Sequence, residues 1–179
     1  MDQLFAKKED EIFELIAEVM QCERDNLFRY GFYRLGSTSD TEDMLQELFI
    51  KLCNRSIVAI PHDRAELKCY IFRSMQNACN DILRHRSRVP HVAIEKLKDI
   101  TTEELSPQNS ADEFRLINRL LSTLPSEQSE ALRLRIYSEC SFQEIADIMQ
   151  VPITTAKSRF KYGIEKLRKE LIHSTFFNN

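Results

Sequence analysis

The chain has 179 residues, 42% of them apolar and 30% charged, with a formal net charge of −3. That suits one or two small soluble cores, and no apolar run reaches the roughly 20 residues that a membrane-spanning helix needs, so no membrane insertion of its own is expected. The only glycines, Gly31, Gly36 and Gly163, leave no Gly-rich phosphate loop and argue against a β-rich fold.

The cysteines, Cys22, Cys53, Cys69, Cys79 and Cys140, are odd in number and form no C-x-x-C pair. The opening MDQLFAKKEDE has no apolar signal core. Reduced, buried thiols in a cytoplasmic protein are the expectation.

In chain order every predicted element is a helix. From Leu4 to Arg34, Ile12, Leu15, Ile16 and Val19 set out a helical stripe, and Phe28, Tyr30, Phe32 and Tyr33 read as core. One or two helices fit there. Gly36 to Asp40, GSTSD, is a turn with capping residues. The next helix, Thr41 to Leu52, turns Met44, Leu45, Leu48 and Leu52 one way, with Glu42, Asp43, Gln46 and Glu47 on or beside the other face. An acidic first turn suits the helix dipole, which by itself accounts for the acids.

Asn54 to Glu66 contains Pro61, lacks helical periodicity and is expected to be a loop. Leu67 to Arg88 follows as a strong helix buried through Leu67, Ile71, Met75 or Ala78, and Ile82. Its open face carries Tyr70, Arg73, Gln76, Asn77, Asn80, Asp81 and Arg84, and it ends RHRSR. Rings stack on bases, amides bond base edges and guanidiniums meet phosphates, so such a face can hold nucleic acid. The plain alternative is a solvated face with a basic end favoured by the dipole.

Periodicity decays from Pro90 to Glu113, placing a domain boundary between about Ile100 and Asp112. Helical spacing returns with Phe114, Ile117, Leu120 and Leu121, breaks at Leu124-Pro125-Ser126, and returns again with Ala131, Leu132, Leu134 and Tyr137. Ser141 and Glu144 have the spacing of a capping box, so a short helix starts there, with Ile145, Ile148 and Met149 as its apolar face. Val151-Pro152 stops it.

A longer helix from about Thr154 buries Ala156, Phe160, Gly163 or Ile164, and Leu167. Outside it shows Thr155, Lys157, Ser158, Lys161, Tyr162 and Lys166, with Arg159 on the flank. This is the pattern of a helix-turn-helix, whose second helix fits the major groove. An αα-hairpin with a solvated lysine face is the alternative. At the turn, Gln150 stands where glycine is usual, and Pro152 where a hydroxyl cap is usual.

Charge is unevenly spread. From Pro152 onward six cations face Glu165 and Glu170, and Arg84, Arg86 and Arg88 form a second basic stretch; acids concentrate at Glu9–Glu23 and Asp40–Glu47. Two basic and two acidic regions suggest more than one kind of partner.

Taken in this order, the motifs resemble those of bacterial RNA polymerase sigma factors of the sigma-70 family, extracytoplasmic-function (ECF) subfamily, over nearly the whole chain. Glu42-Asp43-Met44-Leu45-Gln46-Glu47-Leu48-Phe49 is similar to the family's E-D-x-x-Q-E-x-F helix; Tyr70-Ile71-Phe72 through Asn77, Asp81 and Arg84 is similar to its W-L-x-x-x-x-x-N-x-x-x-D-x-x-R helix. Leu124-Pro125 through Lys169 is similar to its L-P-x-x-x-R, E-I-A and T-V-x-S-R motifs. The departures are Tyr70 for tryptophan, Ser129 for arginine, Thr155-Ala156 for the T-V pair, and Gln150 for the turn glycine.

The resemblance implies an all-α fold of two small helical domains: a region 2 bundle (1–95) and a region 4 helix-turn-helix domain (113–179), joined by a flexible linker (96–112). It implies that Glu42, Asp43, Gln46 and Glu47 bind core RNA polymerase at the β′ clamp, with the β flap as a further contact. Tyr70, Arg73, Asn77, Asp81 and Arg84 would meet the minus-ten promoter element. Thr155, Lys157, Ser158, Arg159, Lys161 and Tyr162 would meet the minus-thirty-five element. It further implies an anti-sigma factor as partner, no cofactor or metal, and no catalysis by this chain. The residues alone leave two other readings open: a stand-alone helix-turn-helix regulator with a helical sensor domain, and a helical adaptor that binds proteins only.

Overall fold

A computed structural model describes residues 2–55, 59–88 and 111–177. Every regular element among them is helical, and the chain divides into two compact units, Met1–Lys96 and Leu97–Asn179. Among the described residues no helix is long and apolar enough to cross a membrane.

The first unit holds α1 (Asp2–Cys22), α2 (Arg24–Leu35), α3 (Thr38–Cys53) and α4 (Arg64–Arg88), each packed against the other three. Ile16, Leu27, Tyr30, Leu67, Ile71, Phe72 and Met75 are sealed from solvent between them. The break between α1 and α2 falls at Glu23, whose carboxylate is 3.0 Å from Lys68 Nζ of α4 and accepts from Asn26 Nδ2 at 2.9 Å. At Gly31 a Cβ would lie 2.7 Å from Thr41 Cγ2 and 2.9 Å from Met75 Cε. The missing side chain is what lets α2 approach α3 and α4 this closely.

Two helices start earlier than the sequence pattern suggests, each because a side chain caps it sooner. Gly36 ends α2 in the left-handed region (φ 69°), and Ser37 caps α3 at once, its Oγ accepting from the Asp40 amide at 3.2 Å. The turn foreseen over residues 36–40 is therefore only two residues long. Asp63 Oδ1 accepts from the amides of Ala65 (2.9 Å) and Glu66 (3.0 Å), so α4 begins at Arg64. Arg64, Ala65 and Glu66 are all exposed, so no apolar stripe marks this first turn.

The second unit holds α5 (Ala111–Ser122), α6 (Ser126–Ile136), α7 (Phe142–Met149) and α8 (Ile153–Phe177). The long α8 packs on each of the other three. Leu121, Leu124 and Leu132 centre the core, with Ile117, Tyr137, Phe160, Ile164 and Leu167 against them. α5 starts at Ala111, inside the stretch read as linker; residues 96–110 lie outside the described ones.

A left-handed residue follows both α6 and α7, Glu139 beyond the Tyr137 cap of α6 and Gln150 as the cap of α7 itself (φ 55° each). The next amide closes back: Cys140 N over six residues to Leu134 O and Val151 N over five to Ala146 O, each 3.0 Å. Glutamine thus occupies the geometry that glycine usually fills at the helix-turn-helix turn. Ser129, standing where the resembled motif has arginine, is buried and accepts from Arg133 Nη1 at 2.9 Å, so a guanidinium reaches this point from one turn later. Cys69, Cys79 and Cys140 are buried as expected, but Cys53 is only half-buried and Cys22 is exposed, beside Arg64 Nη2 at 3.2 Å.

Candidate functional site

Helix α3 buries Thr41, Met44, Leu48 and Leu52 and leaves Glu42, Asp43, Gln46 and Glu47 exposed on its other side. All four predicted residues thus share one solvent-facing surface. Glu47 is 3.3 Å from Lys51 Nζ, a fully solvated pair of little energetic weight. Ile50 continues the same surface one turn further and is 57% exposed, a residue the sequence reading passed over. Its signal was available: it lies off the Met44–Leu48–Leu52 stripe. Phe49 meets the exposed Phe13 of α1 edge-on, with ring centroids 5.9 Å apart. Acids and an amide beside an apolar edge suit a protein surface better than a polyanion.

Along α4, Tyr70 and Arg73 are half-buried and Asn77, Asp81 and Arg84 are exposed, at spacings that place all five on one stripe. Asp81 and Arg84 pair with each other at 3.3 Å. The hydroxyl of Tyr70 accepts from Arg55 Nη1, and the Arg55 guanidinium carbon lies 5.7 Å from the Tyr70 ring centroid. Two residues assigned to the open polar end serve the bundle instead. Asn80 Oδ1 accepts from Arg34, and Arg86 donates to Leu35 O at 2.8 Å and pairs with Asp40. The basic stretch at the end of α4 is therefore Arg84 and Arg88, without Arg86. A groove of about 540 Å³ separates Glu47, Lys51 and Arg55 from Asn77, Asp81 and His85, so the α3 and α4 surfaces border one another.

In the second unit the capping box is complete: Glu144 N donates to Ser141 Oγ (3.2 Å) and Ser141 N to Glu144 Oε2 (2.7 Å). Phe142 follows at once, its ring 5.4 Å from that of Phe160 of α8, with the Arg135 guanidinium 5.1 Å above it. Arg135 also donates to Cys140 O at 2.8 Å, tying α6, the turn and α7 to α8.

On α8, Ala156 and Gly163 are buried while Lys157, Lys161 and Tyr162 are exposed; Thr155, Ser158 and Arg159 are half-buried. Lys157, Ser158, Lys161 and Tyr162 share the outward side. Ser158 Oγ donates to Thr154 O, so its oxygen is left to accept. Lys166 donates to Thr123 O at 2.8 Å, closing the end of α5, and leaves the outward set. The Glu127 carboxyl lies below the ordinary glutamate range because its own amide and the Ser126 hydroxyl donate to it, with the Arg159 charge nearby. Arg159 is half-buried, unlike the exposed Lys157 and Lys161 on either side of it. Among the described residues no cluster of His, Cys, Asp and Glu could hold a metal ion.

These two units match known families. Residues 19–89 match the family described as Sigma-70 region 2, and residues 114–167 match Sigma-70, region 4, together more than half of the chain. ECF RNA polymerase sigma factor SigW of Bacillus subtilis is 24% identical over 176 residues, which cover 92% of each chain. ECF RNA polymerase sigma factor SigE of Mycolicibacterium smegmatis is 27% identical over 158 residues, covering 86% of this chain and 60% of that one. Among solved structures, CnrH in complex with the cytosolic domain of CnrY aligns with a TM-score of 0.61 at 15% identity, over 92% of this chain and 98% of that one. The sigma factor RpoE in complex with the anti-sigma factor NepR, from Bartonella quintana, aligns at 0.55 and 19% identity, over 90% and 94%. At such identities these two structures establish the fold alone. With region 2 and region 4 present in that order, in a chain matched almost throughout by ECF relatives, the protein belongs to the sigma-70 family and is an ECF sigma factor, which directs RNA polymerase to promoters and binds DNA through its region 4.

Proposed function

We propose that this sigma factor meets the β′ clamp of core RNA polymerase through Glu42, Asp43, Gln46 and Glu47, with Ile50 as the apolar edge of the same contact. The observation that carries this reading is the exposure of all four polar groups on the one side of α3 that does not build the bundle core. On α4, Tyr70, Arg73, Asn77, Asp81 and Arg84 engage and help open the minus-ten element. On α8, Lys157, Ser158, Lys161 and Tyr162 face the minus-thirty-five groove, Thr155 stands at its start, and Arg159 holds phosphate from the flank. Residues 1–95 and 113–179 are the two working domains, 96–112 the linker, and the second domain also meets the β flap.

The polymerase performs the chemistry; this chain positions it, in the cytoplasm. Its regulator is an anti-sigma factor, a reading supported by the structures of CnrH with CnrY and of RpoE with the anti-sigma factor NepR. The test is core binding by the Asp43→Ala/Gln46→Ala double variant. Exposed positions predict a weakened complex with an unchanged melting temperature. Undiminished affinity for core would remove the assignment.

A further inference from the structure

The Arg55–Tyr70 contact has no counterpart in any role assigned so far. Arg55 follows the C-terminal cap of α3, and its backbone is fixed by the bond from its own amide to Leu52 O at 3.2 Å. From there the side chain crosses to α4. It donates Nη1 to the Tyr70 hydroxyl and keeps its guanidinium carbon 5.7 Å from the ring centroid. The phenol is therefore held by its oxygen, with the guanidinium at the hydroxyl end of the ring. Tyr70 is half-buried, so part of the ring stays open to solvent. Arg55 itself is exposed, on the lip of the groove that Asn77 and Asp81 also line.

A tyrosine at this position differs from a tryptophan in a way that bears on function. It is smaller, has less area to stack and less to wedge it in place against its neighbours. A hydroxyl gives it a handle that an indole ring lacks at that end, and Arg55 grips that handle. We propose that Arg55 is a positioning residue for promoter opening: it holds the Tyr70 ring in the orientation that receives an unstacked promoter base. The inference rests on the reading of Tyr70 as part of the minus-ten surface. Pre-orienting a single ring saves its rotational freedom at the moment a base stacks on it, and so favours the open complex without adding a contact to DNA.

The experiment compares Arg55→Ala, Tyr70→Phe, the double variant and Tyr70→Ala in holoenzyme. It reads permanganate reactivity of unpaired thymines, core affinity and the salt dependence of promoter binding. Arg55→Ala and Tyr70→Phe should each lower opening about tenfold, and the double variant no further, because both remove the same bond. Core affinity and the salt slope should stay at wild-type values. Normal opening in Arg55→Ala alongside impaired Tyr70→Ala overturns the positioning role and leaves the Tyr70 reading standing. Normal opening in Tyr70→Ala removes the Tyr70 reading and this inference with it. Additive losses, or a salt slope reduced by about one, would make Arg55 a phosphate contact instead. Tyr70→Phe changes one oxygen only and decides the matter even where Arg55→Ala disturbs the fold.

Discussion

The ring of Phe142, the first residue of α7, stands edge-on to the ring of Phe160 on α8, 5.4 Å away and at 74°. This contact joins the two helices of the DNA-binding motif, and the Arg135 guanidinium lies over the Phe142 ring. Phe142→Leu keeps most of the apolar area and loses the aromatic geometry. It should lower stability of the second unit by about 1 kcal/mol and weaken minus-thirty-five binding more than overall DNA affinity. Denaturant midpoints and promoter footprints check this; a full minus-thirty-five footprint on a destabilised domain would separate packing from recognition.

Gln150 holds a left-handed backbone that costs a residue with a Cβ about 1–2 kcal/mol. Gln150→Gly should therefore raise stability, by about 0.5–1 kcal/mol after the extra freedom of glycine in the unfolded chain is counted. A lowered denaturation midpoint would show that the glutamine side chain supports the turn in a way the backbone does not reveal.

Glu127 gives a pH dependence with a definite sign. Its folded carboxyl is held below the ordinary range by its own amide, the Ser126 hydroxyl and Arg159. Such a group adds stability at pH values above its unfolded pKa, and that stability is lost as pH falls through the lower folded pKa. Because the carboxyl is solvent-exposed, the effect is small. Glu127→Gln should be slightly less stable than wild type near neutral pH and converge with it in acid. Parallel urea midpoints across the whole range would mean that the carboxylate adds nothing to folding.

Where a local signal decided the structure, the sequence was readable. The Ser141–Glu144 box, the Val151-Pro152 stop and the Ala156–Gly163 stripe each act within one or two helical turns, and the helix-turn-helix follows from them. The exposed acids of α3 were readable for the same reason. What could not be read are pairings between residues far apart in the chain. Arg86 looks like one more cation in a basic run until Asp40 and Leu35 O are found beside it, across 46 and 51 residues. Lys166 belongs with its neighbouring lysines until Thr123 O claims it. Arg55 carries no motif at all, because its meaning lies in a phenol fifteen residues on.

The ties along α4 also have a mechanical consequence. Arg64, its first residue, is held to Glu18 and Cys22 of α1, and Lys68 one turn later to Glu23. Arg86, two residues from its end, is held to Asp40 and the last turn of α2. A rod of 25 residues, roughly 37 Å long, is thus tied near both ends and bedded along its middle by Leu67, Ile71, Phe72, Met75 and Cys79. On the reading proposed for this face, promoter DNA pressed against the polar side of α4 meets a firmly seated helix, and the deformation falls on the more compliant stacked bases.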